Sequence, residues 1–170
     1  RSSYNLARGE RVGMTDTILH PEARVADLLG LLLTLSNVFG GSSDLADLEE
    51  ELEVDLDDLM PIVYAASAMG FITVGDGVIA ITDKGKEFLH SSLEKRKELL
   101  REGLKNVEPF KTALELKSFT VEELQSKLEE KGYPIYSGPS GLHDLEVILT
   151  EWGVYSKLLK RVGEGYEVNP

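Results

Sequence analysis

Three histidines, His20, His90 and His143, are spread through the chain, and none stands at metal-ligand spacing from a second ligand. Asp55, Asp57 and Asp58 place three carboxylates within four positions, a density that would suit calcium or paired acid catalysis. An EF-hand loop needs alternating oxygen ligands, a central glycine and a closing glutamate over about twelve residues, and this run does not supply them. Acids at a helix N-terminus, where the peptide dipoles favour negative charge, explain the triplet without a ligand. Ser137, Ser140 and His143 have no nucleophile-elbow context. Neither a Gly-x-x-x-x-Gly-Lys-Ser/Thr loop nor a Gly-x-Gly-x-x-Gly run occurs, so the common phosphate cradles are absent from the sequence, and Gly75-x-Gly77 reads as a hairpin tip. The absence of cysteine removes disulfides, thiolate metal sites and cysteine nucleophiles together, and fits a reducing compartment. We expect no catalytic residue, metal site or cofactor in this chain.

Charge carries more information than chemistry. Residues 25–83 hold no lysine or arginine and twelve carboxylates, in a chain of 170 residues with net charge -12. Phosphate neutralisation supplies most non-specific nucleic-acid affinity, and a surface of carboxylates repels a polyanion. The basic exception is Lys157, Lys160 and Arg161, which supports the alternative of a DNA-binding transcriptional regulator. A hydrophobic content of 42% with 28% charged residues is ordinary for a folded domain. The longest apolar run, residues 28–35, falls far short of the ~20 residues of a membrane span, so no direct membrane insertion is expected. Tyr133, Tyr136, Tyr155 and Tyr166 crowd the second half, where they suit core and hairpin packing, or anchoring of a partner where exposed.

These side chains are positioned by a recognisable order of elements. Residues 1–22, with Arg1, Arg8, Arg11 and Pro21, read as a linker from an upstream domain, and the start at Arg1 rather than methionine points to a piece of something longer. A central helix is expected over 24–37, with Val25, Leu28, Leu29, Leu32 and Leu35 on one stripe, ended by Gly40-Gly41. A short helix follows with Leu45, Leu48 and Leu52, capped from among Ser42, Ser43 and Asp44. The third helix should start near 55–58 and end at Gly70. Pro61 sits comfortably in it if Asp57 or Asp58 is the cap. Two strands, 71–74 and 78–81, flank Gly75-Asp76-Gly77, and Thr82 caps a helix burying Phe88 and Leu89.

That order is the order of a winged helix-turn-helix, assigned to residues 23–91. Residues 92–108 form a charged connecting helix carrying Lys95, Arg96, Lys97, Arg101 and Lys105 among Glu94, Glu98 and Glu102, laced by ion pairs a turn apart. Leu93, Leu100 and Val107 recur every seven residues on it, which raises a docking or dimer helix and a possible homodimer. From 109 to 170 the pattern restarts. A short helix spans 110–116, Thr120 caps 121–131, Gly138-Pro139-Ser140 opens 142–152, and two strands surround Gly163-Glu164-Gly165. Met69-Gly70-Phe71 then matches Trp152-Gly153-Val154. The fold expected is mainly α with small β-hairpins, two winged helix-turn-helix domains in tandem.

The run Val25-Ala26-Asp27-Leu28-Leu29-Gly30-Leu31-Leu32, then Gly40-Gly41 and Asp44-Leu45, resembles the C-terminal AAA-associated domain of ABC transporter ATP-binding subunits. So do Leu56-Asp57-Asp58-Leu59-Met60-Pro61-Ile62-Val63 with Ala65-Ala66, and Gly70-Phe71 with Thr82-x-x-Gly85. The block Lys95-Arg96-Lys97-Glu98-Leu99-Leu100-Arg101-Glu102 completes the likeness, which is best over residues 24–107. The transporters are of nitrate, sulfonate or bicarbonate type. The resemblance implies an upstream ATPase domain that binds ATP and Mg, membrane permease subunits as partners, and a cytoplasmic position at the inner membrane. No catalytic residue is transferred by it. For a partner interface we single out Lys95, Arg96, Leu100, Arg101, Asp57 and Asp58.

Overall fold

Leucines at positions 28, 31, 32 and 35 recur at helical spacing, the first three in α1 (Val25–Leu33) and Leu35 in its continuation, and all four are buried. The computed structural model of the chain describes residues 17–170, so Arg1, Arg8 and Arg11 of the expected linker lie outside the described residues. Past Leu33 the helix widens over Thr34–Val38, where Phe39 N donates to Thr34 O five residues back at 3.3 Å. β1 (Ser42–Asp44) leads into α2 (Leu45–Leu52), capped by the Asp44 carboxylate, which accepts from Asp47 N at 2.8 Å.

α3 (Leu56–Ala68) starts behind Asp55, at the early end of the expected range 55–58. The start is set by tertiary contact, since the Glu49 carboxylate of α2 accepts from Leu56 N at 2.8 Å while the Asp55 side chain makes no capping bond. Pro61 therefore lies inside the helix. The helical bond its missing N–H forfeits belongs to the carbonyl of Asp57, an exposed residue, where water is at hand. β2 (Ile72–Gly75) and β3 (Val78–Ile81) close through Asp76 and Gly77, both at positive φ, the pairing that a tight two-residue hairpin demands. α4 (Asp83–His90) starts at the Thr82 hydroxyl, which accepts from Gly85 N at 3.0 Å.

α5 (Leu93–Leu104) follows, then α6 (Phe110–Leu116), β4 (Ser118–Thr120) and α7 (Val121–Glu130). A single 3-10 turn, Pro134–Tyr136, precedes α8 (Gly138–Ile148), which widens over Leu149–Val154 before β5 (Leu159–Val162) and β6 (Gly165–Val168). Helix, strand, helix, helix, strand, strand thus occurs twice. Each copy carries a three-stranded antiparallel sheet with its last strand central, in order β1-β3-β2 and β4-β6-β5. β1 and β4 escape a reading from hydrophobic runs because three residues with one inward side chain leave no periodicity.

The buried apolar residues form one cluster that runs through both copies. The chain entering α1 ties them together. Glu108 N donates to Thr17 O and Leu19 N to Glu108 O, each at 2.8 Å, while the buried Tyr136 hydroxyl donates to Leu19 O at 2.6 Å. Trp152 Nε1 donates to Ala23 O at 3.1 Å, and Glu151 of the second copy caps α1 by accepting from Val25 N at 2.9 Å. Residues 17–22, read from sequence as part of a solvated linker, are therefore built in, with Leu19 fully buried. Ile18-Leu19 was the available signal, an apolar pair inside a polar stretch.

Candidate functional site

α3 presents its first turn to solvent, and Asp57 and Asp58 both stand exposed there. Neither has a cation within ion-pair distance among the described residues. Together with α1 and the α2–α3 turn they line a groove of about 520 Å³. Ala26, Asp27 and Gly30 form the α1 side, Leu52 and Val54 the turn, and Leu59 and Ile62 the α3 side. The groove is open and mixed in character, with apolar walls and a rim to which Glu22 and His20 also contribute. Val54 is 37% exposed, an apolar side chain left in solvent at that edge.

The other expected interface residues sit elsewhere. Lys95 is on the exposed side of α5 and pairs with Glu98 at 3.5 Å. Arg96 turns back on α4, its guanidinium donating to Phe88 O at 2.9 Å and Leu89 O at 2.8 Å while lying over the Phe88 ring. Arg101 Nε donates to Ser156 O of the second copy at 2.9 Å. Leu100 is buried at 1% exposure and Val107 at 0%, so of the heptad only Leu93, 56% exposed, faces solvent. The dimer-helix expectation is corrected accordingly: α5 spends its seam on its own core. Glu94 meets Lys157 at 3.5 Å and Lys97 lies over the Tyr155 ring at 4.8 Å, so the charged helix braces the two copies. Lys95–Glu98 within α5, and Glu102 with Lys105 at its C-terminal cap, are ion pairs three residues apart.

The basic patch is internally compensated. Lys157 faces Glu94, Lys160 lies 3.9 Å from Glu167, and Arg161 lies 3.7 Å from Glu146 and over the Tyr166 ring. Each cation has a carboxylate beside it. A second open hollow of about 550 Å³ lies beside Arg161, lined also by His143, Glu146, Glu122 and Glu164, so its field is acidic too. Among the described residues no group of three His, Cys, Asp or Glu side chains is arranged to hold a metal ion, and no helix is long and apolar enough to cross a membrane.

A buried carboxylate that sequence reading missed lies where the copies meet. Glu108 is fully buried, its Oε1 accepting from Thr112 N at 3.0 Å and its Oε2 lying 3.8 Å from Lys131 Nζ. Lys131 also donates to Thr112 Oγ1 at 2.9 Å and to Glu115 at 3.0 Å. Among the described residues Oε2 has no hydrogen-bond donor and only the Lys131 charge near it, while the Glu108 backbone holds the entering chain. Nothing in the local sequence distinguishes it from a surface acid before a proline.

A family model described as the C-terminal AAA-associated domain matches residues 46–161, from the first turn of α2 into β5. The chain belongs to that family. No curated protein and no solved structure matches it. For this AAA-associated domain the likeness carried by residues 24–107 thus extends through the second copy, although the transporter type it suggested is not distinguished by the match. The match spans both Asp57-Asp58 and the α5 brace, so the groove's α3 wall and the junction between copies both belong to the family's domain.

Proposed function

We propose that this AAA-associated domain is a non-catalytic regulatory or protein-interaction domain of an ABC-type transporter ATP-binding protein, of the nitrate, sulfonate or bicarbonate class. Each copy is read as a winged helix-turn-helix, α1–α3 with the β2–β3 wing and α6–α8 with the β5–β6 wing. ATP and Mg belong on this reading to an upstream ATPase domain, and the permease subunits, at the cytoplasmic face of the membrane, are the partners. The observation that carries it is the Asp57-Asp58 edge on α3, unpaired among the described residues, on the helix that would have to meet a DNA groove. A winged helix bearing carboxylates there is suited to a polypeptide and not to phosphate.

Three measurements test the reading. The purified chain incubated with ATP and Mg should show no turnover above buffer, and steady hydrolysis would overturn it. Fluorescence anisotropy with random duplex DNA at low salt should show no binding, whereas tight binding that weakens steeply with salt would favour the transcriptional regulator through Lys157, Lys160 and Arg161. Removing the domain from the parent ATP-binding protein should change its association with permease subunits, or the control of its ATPase, and leave ATP binding intact.

A further inference from the structure

We propose that the groove between α1 and the α2–α3 turn is the docking site for a polypeptide segment carrying an apolar residue flanked by lysine or arginine. The inference rests on the interaction-domain reading and names the partner's chemistry. Its first support is shape. Ala26 and Gly30 on the α1 wall are small, and a Cβ built at Gly30 meets no atom within 4 Å, so the groove is open down to the helix backbone there. Facing it are Leu52, Val54 and Ile62, with Val54 37% exposed and no element among the described residues laid across the groove. A volume of about 520 Å³ takes several side chains.

Its second support is charge. Glu22 and Asp27 stand on one wall, Asp57 and Asp58 on the other, and among the described residues His20 is the one basic residue lining the groove. Covering four carboxylates with an apolar or acidic partner would strip their water without compensation, whereas cations would replace it. Because the acids come from both walls, one amine does not meet them all. An amphipathic helix does, with an apolar side chain in the groove and cations at its neighbouring turns.

The test uses the whole chain and two labelled amphipathic peptides of about 14 residues, one of leucine and lysine and one of leucine and glutamate. Anisotropy is read at about 0.15 M salt, where distant surface charges are largely screened. The lysine peptide should bind and the glutamate peptide should not. Gly30→Leu, which fills the groove, and the double variant Asp57→Asn with Asp58→Asn should each raise its Kd about tenfold or more. The double variant Glu129→Gln with Glu164→Gln, equal in charge change but exposed on the second copy, should leave Kd within about twofold. Thermal melts establish that each variant is folded. Should Gly30→Leu fail to fold, the two charge-matched doubles still decide. Equal losses in both doubles, or full binding by folded Gly30→Leu, would overturn the proposal, as would displacement of the peptide by spermidine at equal charge concentration. If the peptide fails to bind while removal of the domain still alters association with permease subunits, the groove falls and the interaction-domain reading stands.

Discussion

Two glycines in helices show how little a residue's type says about its role. Gly30 and Gly103 both interrupt helices, at a cost of about 1 kcal/mol each relative to alanine. At Gly30 an added methyl enters open space, so Gly30→Ala should stabilise the chain by about 0.5–1 kcal/mol, read as a higher urea midpoint. A Cβ at Gly103 would lie 2.9 Å from the Met69 Cβ, and Gly103→Ala should destabilise by about 1–3 kcal/mol in the same assay. Tyr136 gives a pH-dependent prediction. Burial first, and the Asp144 charge second, push its hydroxyl well above the ordinary tyrosine value, with Arg24 opposing. Above about pH 10 the unfolded chain releases this proton while the folded chain keeps it, so the unfolded state binds fewer protons and stability falls as pH rises. The loss approaches about 1.4 kcal/mol per pH unit from this group. Denaturation series from pH 9 to 11 should show a steeper decline for the native chain than for Tyr136→Phe. At neutral pH that variant should lose about 1–2 kcal/mol, because Leu19 O is left without its donor.

At the scale of elements, capping and turn chemistry were legible in the sequence. Thr82 and Thr120 each cap the helix that follows by accepting from the N–H three residues on. Gly75-Asp76-Gly77 and Gly163-Glu164-Gly165 each join two strands. α5 was legible as a helix but not in its role. The heptad Leu93, Leu100, Val107 is compatible with a partner helix, yet two of its three members are buried in the chain's own core. Likewise Arg96, expected to face a partner, closes the C-terminus of α4 through two carbonyls. A surface arginine would be neutral on substitution. Arg96→Ala should instead cost about 1–2 kcal/mol in chemical denaturation, and Arg96→Lys should recover less than half, since an ammonium lacks the planar fork that reaches both carbonyls.

For the molecule as a whole, the two copies share one buried cluster, and the chain before α1 is wedged against the second copy. Trp152 fluorescence, a probe of the second copy, and helical circular dichroism, a probe of both, should therefore report one coincident transition. Leu19→Ala should shift both by the same amount, about 2–4 kcal/mol, whereas two separated transitions would show that the copies fold independently.

Element order, caps, hairpin turns and the absence of cations from residues 25–83 were determined by the sequence alone, because each depends on neighbours within a few positions along the chain. The groove, the brace and the compensation of Lys157, Lys160 and Arg161 depend on residues far apart, such as Glu94 with Lys157 or Glu22 with Asp58. Whether a leucine meets a partner or its own core, and whether a lysine stands free or beside a carboxylate, is decided only when distant segments come together. That is why the sequence named Asp57 and Asp58 but could not show that α1 leaves space beside them.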